Sequence, residues 1–383
     1  MKKTMARMLV AGGLLLAPFV GRASAQEAEI RVGALIALSG PAAYLGDPVQ
    51  KALKLLVENY NAKGGMAGRK MTLITYDTEA NTGKAVQLYR RLVESDHVQV
   101  IIGPSTTGES LTLKSVANEL KVPMISFGAG TDIVVPPEPY VFKVPPTDEV
   151  EIRQLVTDFA QRGVKKLAVL YATGPYGQSG AAIMKRLGPP AGVNVVAEEQ
   201  FQPLDTDMTA QIVRVRDADA DALLIWATDP GATLVVKQAV ALGYKKPIYN
   251  SPAVADPKFI QKAGPAAEGT YVQGSRLLVA SELAADDPQR VGLVWLTDAY
   301  RKRFNEEPPQ NAGHPYDALL LIEQAITGKS GPLDGTIVAQ GLEKAKFCGA
   351  NGCFTMSATD HNGLPPNAMV ILKAVGGHWK LDK

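Results

Sequence analysis

The chain alternates short continuous apolar runs with longer segments whose apolar residues recur every three or four positions. In the first third of the chain these runs occupy residues 30–38, 71–76, 98–102 and 122–127. Continuous apolar runs of this length are typical of strands that are covered on both faces. The segments between them place apolar residues on one helical face, as Val49, Leu53 and Leu56 illustrate. This alternation predicts an α/β fold with a parallel sheet between two layers of helices.

An extended segment interrupts the alternation at residues 140–146, YVFKVPP. We interpret it as a proline-stiffened connection between two lobes. Strands and helices then alternate again, which predicts a second lobe built like the first. The strands expected there are residues 167–171, 193–197, 222–226 and 247–249.

The last third of the chain is predicted to return to each lobe in turn. Helical periodicity dominates after residue 273, and we expect this part to rejoin the first lobe. Residues 369–374 and 378–381 predict a hairpin in the second lobe. The predicted division is 26–146 plus 275–355 for lobe 1 and 147–274 plus 356–383 for lobe 2, with crossings near Val144, Gly274 and Thr355. Three crossings between two lobes predict a hinge.

The loop that follows the apolar run 98–102 is the strongest candidate for a binding site. Its sequence is GPSTTGES, residues 103–110, and ligands of open α/β sheets bind at the carboxyl ends of the strands. Glu109 stands where the phosphate-binding pattern G-x-x-x-x-G-K-S has its lysine. A carboxylate there repels phosphate, so we expect no nucleotide site.

The hydroxyl cluster in this loop has two interpretations. Thr106 and Glu109 have the spacing of a capping box, which stabilises a helix start by roughly 1 kcal/mol and implies no function. Alternatively, Ser105, Thr106 and Thr107 with the backbone N–H groups of the helix start hold a small anion such as a carboxylate. A second small loop is expected on the same edge of the sheet and consists of Gly128, Ala129, Gly130 and Thr131.

The first 25 residues have the pattern of a signal peptide. Lys2, Lys3 and Arg7 precede an apolar segment at 8–20, and residues 23–25 are the small residues that a signal peptidase requires. We therefore expect residues 1–25 to be removed and the mature protein to lie in the periplasm.

Composition narrows the classes of function. The formal net charge is only +2 over 383 residues, so no nucleic-acid partner is expected. Cys348 and Cys353 are the only cysteines, and in an exported protein their proximity predicts a local disulfide. The four histidines lie far apart without ligand spacing, so neither a metal nor a cofactor is expected.

Motifs typical of enzymes are missing from the sequence. It contains no G-x-S-x-G nucleophile motif and no dinucleotide-binding G-x-G-x-x-G motif. We therefore expect a binding protein and not an enzyme. A secreted enzyme and a ligand-sensing module remain the alternatives.

Several separate motifs resemble one family. They are IRVGALIALSGPAAYLGDP, NAKGGMAGRKMTLITYDTEANTGKAV, VIIGPSTTGES, VPMISFGAGT, YATGPYGQSGA and PYDALLLIEQAI, in this order. Together they look like the periplasmic leucine/isoleucine/valine-type binding proteins of ABC importers. The resemblance implies two Rossmann-like lobes joined by a three-segment hinge, the type I periplasmic binding protein fold, which closes over one small-molecule ligand. It also implies a membrane permease of an ABC importer as partner, and we expect a monomer.

The resemblance also implies particular site residues. In that family the loops that match residues 105–107 and 128–131 hold the carboxylate of the solute. Tyr44 and Tyr176 match aromatic residues that cover the ligand, and Thr228 and Asp229 match a loop that touches its polar head. The predicted site is Tyr44, Ser105, Thr106, Thr107, Gly128, Ala129, Gly130, Thr131, Tyr176, Thr228, Asp229 and Pro252.

One loop departs from the family pattern. Members that bind amino acids place a glutamate after the strand that matches 247–249, and it pairs with the α-ammonium. Here that loop is residues 250–253, NSPA. A buried ammonium without a carboxylate partner costs several kcal/mol. Either Asp229 pairs with it or the ligand has no amino group, so the expected ligand is an amino acid or an aromatic or aliphatic carboxylic acid.

Overall fold

The computed structural model describes residues 29–382. The predicted signal peptide, residues 1–25, lies outside this range. Within it the chain forms two sheets of mainly parallel strands, each with helices on both faces, and a small two-stranded hairpin. The predicted α/β class with two lobes is confirmed.

The first sheet is formed by five parallel strands from the N-terminal part of the chain. They are β1 (Glu29–Ile36), β2 (Lys70–Asp77), β3 (Val100–Ile102), β4 (Met124–Ser126) and β5 (Val141–Lys143). Their order across the sheet is β2-β1-β3-β4-β5. The segment 140–146, expected to be a connection only, therefore also contributes the edge strand β5.

Helices cover both faces of the first sheet, and β1 buries side chains on both faces. Ile36 packs on the face covered by α1 (Ala43–Ala62). Leu35 points to the opposite face, which α2 (Thr82–Glu94) and α3 (Thr107–Leu120) cover. The continuous apolar sequence of β1 follows from this double burial.

The second sheet begins with five parallel strands. They are β6 (Lys166–Ala172), β7 (Asn194–Phe201), β8 (Ala222–Trp226), β9 (Ile248–Asn250) and β10 (Tyr271–Gly274). One face is covered by α4 (Asp148–Gln161) and α5 (Pro175–Leu187), and the other by α6 (Thr209–Asp217), α7 (Gly231–Ala241) and α8 (Pro257–Ala263). The sequence analysis did not predict α8, because seven residues are too few for a clear helical period.

The chain then packs against the first sheet again. The helices α9 (Arg290–Phe304), α10 (Gly313–Ile326) and α11 (Gly335–Leu342) share one apolar core with α1. A hairpin of β11 (Lys346–Cys348) and β12 (Cys353–Thr355) follows. The predicted disulfide between Cys348 and Cys353 is present in this hairpin.

The final crossing lies later than the sequence suggested. Met356, Leu364 and Ala368 are buried in the same core as α1 and α10, so the chain does not leave the first lobe at Thr355. It enters the second sheet at β13 (Val370–Val375), which pairs antiparallel with β10 and with β14 (His378–Leu381). The order of the second sheet is β14-β13-β10-β9-β8-β6-β7. The predicted terminal hairpin is therefore present, and we place the third crossing just before Val370.

Candidate ligand-binding site

A cavity lies between the lobes, where strands of both sheets end. Its volume is about 100 Å³, which is enough for one small molecule or a few waters. The polar residues in its wall are Ser105, Thr106, Thr107, Glu151, Tyr176, Thr228, Gln310, Asn311, His314 and Asn351. The remaining wall is formed by Leu45, Phe127, Gly128, Ala129, Pro145, Pro146, Pro252, Ala253 and Met369.

Two hydroxyls at the start of α3 offer donors to this cavity. The Ser105 hydroxyl accepts a hydrogen bond from the backbone N–H of Ala37 at 3.1 Å. The Thr107 hydroxyl accepts one from the N–H of Gly130 at 3.2 Å. Because each hydroxyl oxygen receives a backbone donor, its own hydrogen stays available for an acceptor. Ser105 and Thr107 are therefore suited to hold a carboxylate or carbonyl oxygen.

Thr106 has a different role. Its hydroxyl donates to Glu109 Oε2 at 2.7 Å and accepts from the Glu109 N–H at 3.3 Å. The Glu109 carboxylate in turn accepts from the Thr106 N–H at 3.2 Å. This is the capping box that the sequence suggested. Thr106 lines the cavity, but its hydrogen is already used within the helix cap.

Two glycines allow the loops of the first sheet to approach each other closely. Gly103 has φ +92°, and a Cβ there would lie 2.1 Å from the carbonyl oxygen of Leu35. A Cβ on Gly128 would lie 2.9 Å from Thr107 Cα. Any larger residue at these positions would push the loops apart. The glycines thereby bring Ala129 and Thr107 into one wall of the cavity.

A buried carboxyl group, Glu151 on α4, also lines the cavity. It is only 2 % exposed, and its Oε2 atom has no hydrogen-bond partner among residues 29–382. Burial raises the pKa of Glu151 well above its ordinary value, although the charge of Lys143 opposes this shift. Glu151 is therefore a desolvated carboxyl group whose Oε2 atom lacks a hydrogen-bond partner in the described part of the chain.

Lys143, at the end of β5, lies behind the cavity wall. Its ammonium donates to the backbone carbonyls of Ala129 at 2.9 Å and Pro146 at 2.8 Å. Burial lowers the pKa of Lys143 to about 8, with Asp148 and Glu151 opposing the shift. Its hydrogen bonds fix two cavity-lining residues, Ala129 and Pro146, in place.

Two predicted tyrosines lie at the junction of the lobes. Tyr176 lines the cavity, and burial raises the pKa of its hydroxyl, helped by the negative charge of Glu151. Tyr44 does not line the cavity. Its hydroxyl is buried beside Thr228 and Asp229 of the other lobe, and this burial raises its pKa. Tyr44 therefore forms a contact between the lobes at the edge of the site.

The carboxylate of Asp229 is already paired within the protein. It accepts from the Thr233 hydroxyl at 2.6 Å and from the Lys262 ammonium at 3.0 Å. Asp229 is not among the residues of the cavity wall. The carboxylate of Asp229 thus already has a cationic partner on α8, and its pairing with a ligand ammonium stays a prediction.

The other predicted residues divide as follows. Ser105, Thr106, Thr107, Gly128, Ala129, Tyr176, Thr228 and Pro252 all line the cavity. Gly130 and Thr131 do not. Gly130 supports the Thr107 hydroxyl, and both the N–H and the hydroxyl of Thr131 donate to Asp148 at the start of α4. In the loop 128–131, Gly128 and Ala129 thus line the cavity, while Gly130 and Thr131 hydrogen-bond to residues of α3 and α4.

The sequence analysis did not predict five polar residues of the cavity wall, which are Glu151, Gln310, Asn311, His314 and Asn351. Glu151 lies in an acidic helix start, a pattern that helix electrostatics explains without a ligand. His314 is fully buried, and burial lowers the pKa of its imidazole to about 3, so it is neutral. The available signal for His314 was its place directly before the motif PYDALLLIEQAI, residues 315–326, on the same helix.

Two kinds of feature are missing from the described part of the chain. Residues 29–382 contain no cluster of His, Cys, Asp and Glu side chains that could hold a metal ion. The same range contains no helix with the length and apolar character needed to cross a membrane.

Known proteins share this architecture. Residues 29–378 match the pattern of a family described as periplasmic binding protein. The Leu/Ile/Val-binding protein homolog 7 of Brucella suis is 26% identical over 343 residues, which cover 86% of this chain and 84% of that protein.

Solved structures of other proteins have a similar fold. An extracellular ligand-binding receptor from Rhodopseudomonas palustris HaA2 has a TM-score of 0.86 and 28% identity, covering 93% of this chain and all of that one. The substrate-binding protein LivJ of a branched-chain amino acid transporter from Streptococcus pneumoniae, in complex with isoleucine, has a TM-score of 0.80. At 23% identity, with 92% of this chain and 98% of that chain covered, LivJ supports the fold alone. This chain belongs to the periplasmic binding protein family, whose members are solute-binding receptors and not enzymes.

Proposed function

We propose that this protein is the extracytoplasmic solute-binding component of an ABC importer and that it binds a small carboxylated molecule between its lobes. The observation that carries this proposal is the pair of hydroxyls at the start of α3. The hydroxyl oxygens of Ser105 and Thr107 both accept a hydrogen bond from a backbone N–H group, so their hydroxyl hydrogens are available to the ligand. An anion at this position also gains from the positive end of the helix dipole.

Glu151 differs from the hydroxyl donors Ser105 and Thr107 because it is a carboxyl group. Its place in the cavity wall supports a second polar group on the ligand. A buried carboxyl group without a partner is costly, and a ligand ammonium or hydroxyl would remove that cost. An amino acid satisfies both requirements, since its carboxylate fits the hydroxyls and its ammonium fits Glu151. The names of the relatives, which refer to leucine, isoleucine and valine, agree with this ligand class.

An aromatic or aliphatic carboxylic acid is the second candidate. It is favoured by the absence of a carboxylate from the loop 250–253 and by the pairing of Asp229 with Lys262. In this case Glu151 stays protonated when the ligand is bound. The two candidates share the carboxylate and differ only in the charge of the second group.

Closure of the two lobes is the proposed mechanism of binding. Several contacts cross the cleft: Gln310 donates to the carbonyl of Pro252 at 2.6 Å, and Lys258 lies 3.3 Å from Glu306. A ligand in the cavity gains contacts from both lobes only in this closed arrangement. We expect the radius of gyration in solution scattering to fall when ligand is added. An unchanged radius at saturation would refute closure but not binding.

The site of action follows from the N-terminal pattern and from the family. We propose that the protein is exported to the periplasm, acts as a monomer and delivers its solute to a membrane permease. Mass spectrometry of the exported protein tests the first point, since the expected mature N-terminus is Gln26.

A thermal-shift panel tests the ligand class. Leucine, isoleucine and phenylalanine are each compared with the carboxylic acid that lacks the amino group and with the amine that lacks the carboxylate. A ligand at one hundred times its Kd stabilises a protein by about 2.7 kcal/mol, which is several degrees of melting temperature. We expect at least one compound with a carboxylate to raise the melting temperature and the amines to have no effect. Stabilisation by amines alone would refute the proposal.

A further inference from the structure

The disulfide-closed loop forms part of the cavity wall. Cys348 and Cys353 face each other across the hairpin of β11 and β12. Between them lies Asn351, which is 1 % exposed and lines the cavity. The loop that the disulfide closes therefore reaches the cavity.

The backbone of this loop is held rigidly by groups from three other segments. The Asp317 carboxylate accepts from the N–H groups of Ala350 and Asn351, the latter at 2.9 Å. Two further hydrogen bonds fix backbone carbonyls of the loop. The side-chain amide of Gln289 donates to the carbonyl of Gly349 at 2.7 Å, and the hydroxyl of Ser275 donates to that of Ala350 at 2.6 Å. The loop is therefore positioned far more tightly than a short turn on the surface requires.

The amide of Asn351 has a defined orientation. Its nitrogen donates to Asp317 Oδ2 at 2.7 Å and lies 3.1 Å from His314 Nδ1. A carboxylate accepts only from the nitrogen end of an amide, so Asp317 fixes which end faces it. Because the amide nitrogen of Asn351 can only donate, the Nδ1 atom of the neutral His314 accepts and its Nε2 atom carries the hydrogen. Asn351 Oδ1 is then left buried without a partner among residues 29–382.

We propose that the loop between Cys348 and Cys353 is a ligand-binding element, in which Asn351 Oδ1 accepts a hydrogen bond from an N–H or O–H group of the bound solute. The disulfide and Asp317 act as positioning groups that hold Asn351 in place. The inference rests on the proposed function, and it adds that the solute carries a hydrogen-bond donor besides its carboxylate.

Titration calorimetry tests this inference on four proteins: Asn351→Ala, the double variant Cys348→Ser/Cys353→Ser, their combination, and Lys346→Ala. Lys346 is exposed on β11 of the same hairpin and serves as the control. The probes are the compounds of the thermal-shift panel that stabilise the parent protein. Melting curves without ligand verify that each variant is folded.

We expect Asn351→Ala to weaken binding of a donor-bearing probe about tenfold. The double cysteine variant should weaken it severalfold, and the combination should bind like Asn351→Ala, because the disulfide acts through Asn351. Lys346→Ala should bind like the parent.

Two results would overturn the inference alone: an Asn351→Ala variant that binds like the parent, or a cysteine effect that adds fully to that of Asn351→Ala. A parent protein that binds no compound of the panel would instead refute the proposed ligand class, and this inference with it.

Discussion

Two groups of polar residues line the cavity, and they have opposite hydrogen-bonding character. The donor group, Ser105 and Thr107, comes from the loop after β3 and offers hydroxyl hydrogens. The acceptor group, Glu151 and Asn351, comes from a helix and from the disulfide loop and offers buried oxygens that have no partner within residues 29–382. A ligand that satisfies both groups has an acceptor at one position and a donor at another.

The two groups also differ in their hydrogen bonds within the protein. Each hydroxyl oxygen of the donor group accepts a hydrogen bond from the backbone of its own lobe. The acceptor atoms Glu151 Oε2 and Asn351 Oδ1 receive no hydrogen bond from residues 29–382, and burying an unpaired polar oxygen costs about 1–3 kcal/mol, and more for a charged group. We infer that the donor group supplies a general carboxylate site and that the acceptor group determines which carboxylate is selected.

The largest expected effect concerns Glu151. If the ligand is an amino acid, Glu151→Gln should weaken its binding by at least 2 kcal/mol, about thirtyfold, because the variant leaves a buried ammonium without its counter-charge. The matched acid without an amino group should bind the variant as well as it binds the parent. Calorimetry with such a pair of ligands measures both effects.

A uniform loss of affinity for both ligands would contradict this assignment, because it would mean that Glu151 supports the fold of the site and does not select the ligand. Melting curves of the variant without ligand separate these cases. Since the described residues give the buried carboxyl group no hydrogen-bond partner, its replacement by the neutral amide should not lower the melting temperature markedly.

The donor group should give the next effect. Ser105→Ala and Thr107→Ala should each weaken binding of any carboxylate about tenfold or more, since a charge-assisted hydrogen bond contributes about 1.5–3 kcal/mol. Thr106→Ala is the matched control from the same loop. It should lower the free energy of unfolding by about 1 kcal/mol through loss of the helix cap and leave the affinity nearly unchanged. Equal affinity losses in all three variants would show that the loop acts through its backbone.

The sequence predicted the donor group because the pattern of strands identifies their carboxyl ends. Ser105 and Thr107 lie within five residues of the end of an apolar run, so their place at the edge of the sheet required no knowledge of the tertiary structure, although the pattern left open a role in capping the helix. Glu151 and Asn351 carry no such signal, because their burial depends on how distant segments meet. The pairing of Asp229 with Lys262 carried no signal for the same reason, since Lys262 lies 33 residues away on a helix that the pattern did not reveal.

The pH dependence of binding should distinguish the two ligand candidates further. Burial holds the pKa of Glu151 well above its ordinary value in the empty site, so the group is protonated above the pH at which a free glutamate ionises. A ligand ammonium favours the ionised form, so its binding releases a proton and becomes tighter as the pH rises, at most tenfold per unit. A simple acid leaves Glu151 protonated and releases no proton there.

Calorimetry in buffers of different ionisation enthalpy measures this proton release. The parent protein with an amino-acid ligand should release close to one proton below the raised pKa, and Glu151→Gln should release none. Identical proton release in both proteins would mean that another group titrates on binding.

The smallest expected effect is that of Asp229→Asn, the residue first considered as the ammonium partner. Because its carboxylate is paired with Lys262 and Thr233 outside the cavity wall, the substitution should change affinity by less than about twofold. Lys262 is half exposed, so losing this ion pair should lower the free energy of unfolding by no more than about 1 kcal/mol. Calorimetry and melting of this variant beside Glu151→Gln provide the comparison. If Asp229→Asn abolishes binding of an amino acid while Glu151→Gln does not, the acceptor group is wrongly assigned and Lys262 must release Asp229 when the ligand enters.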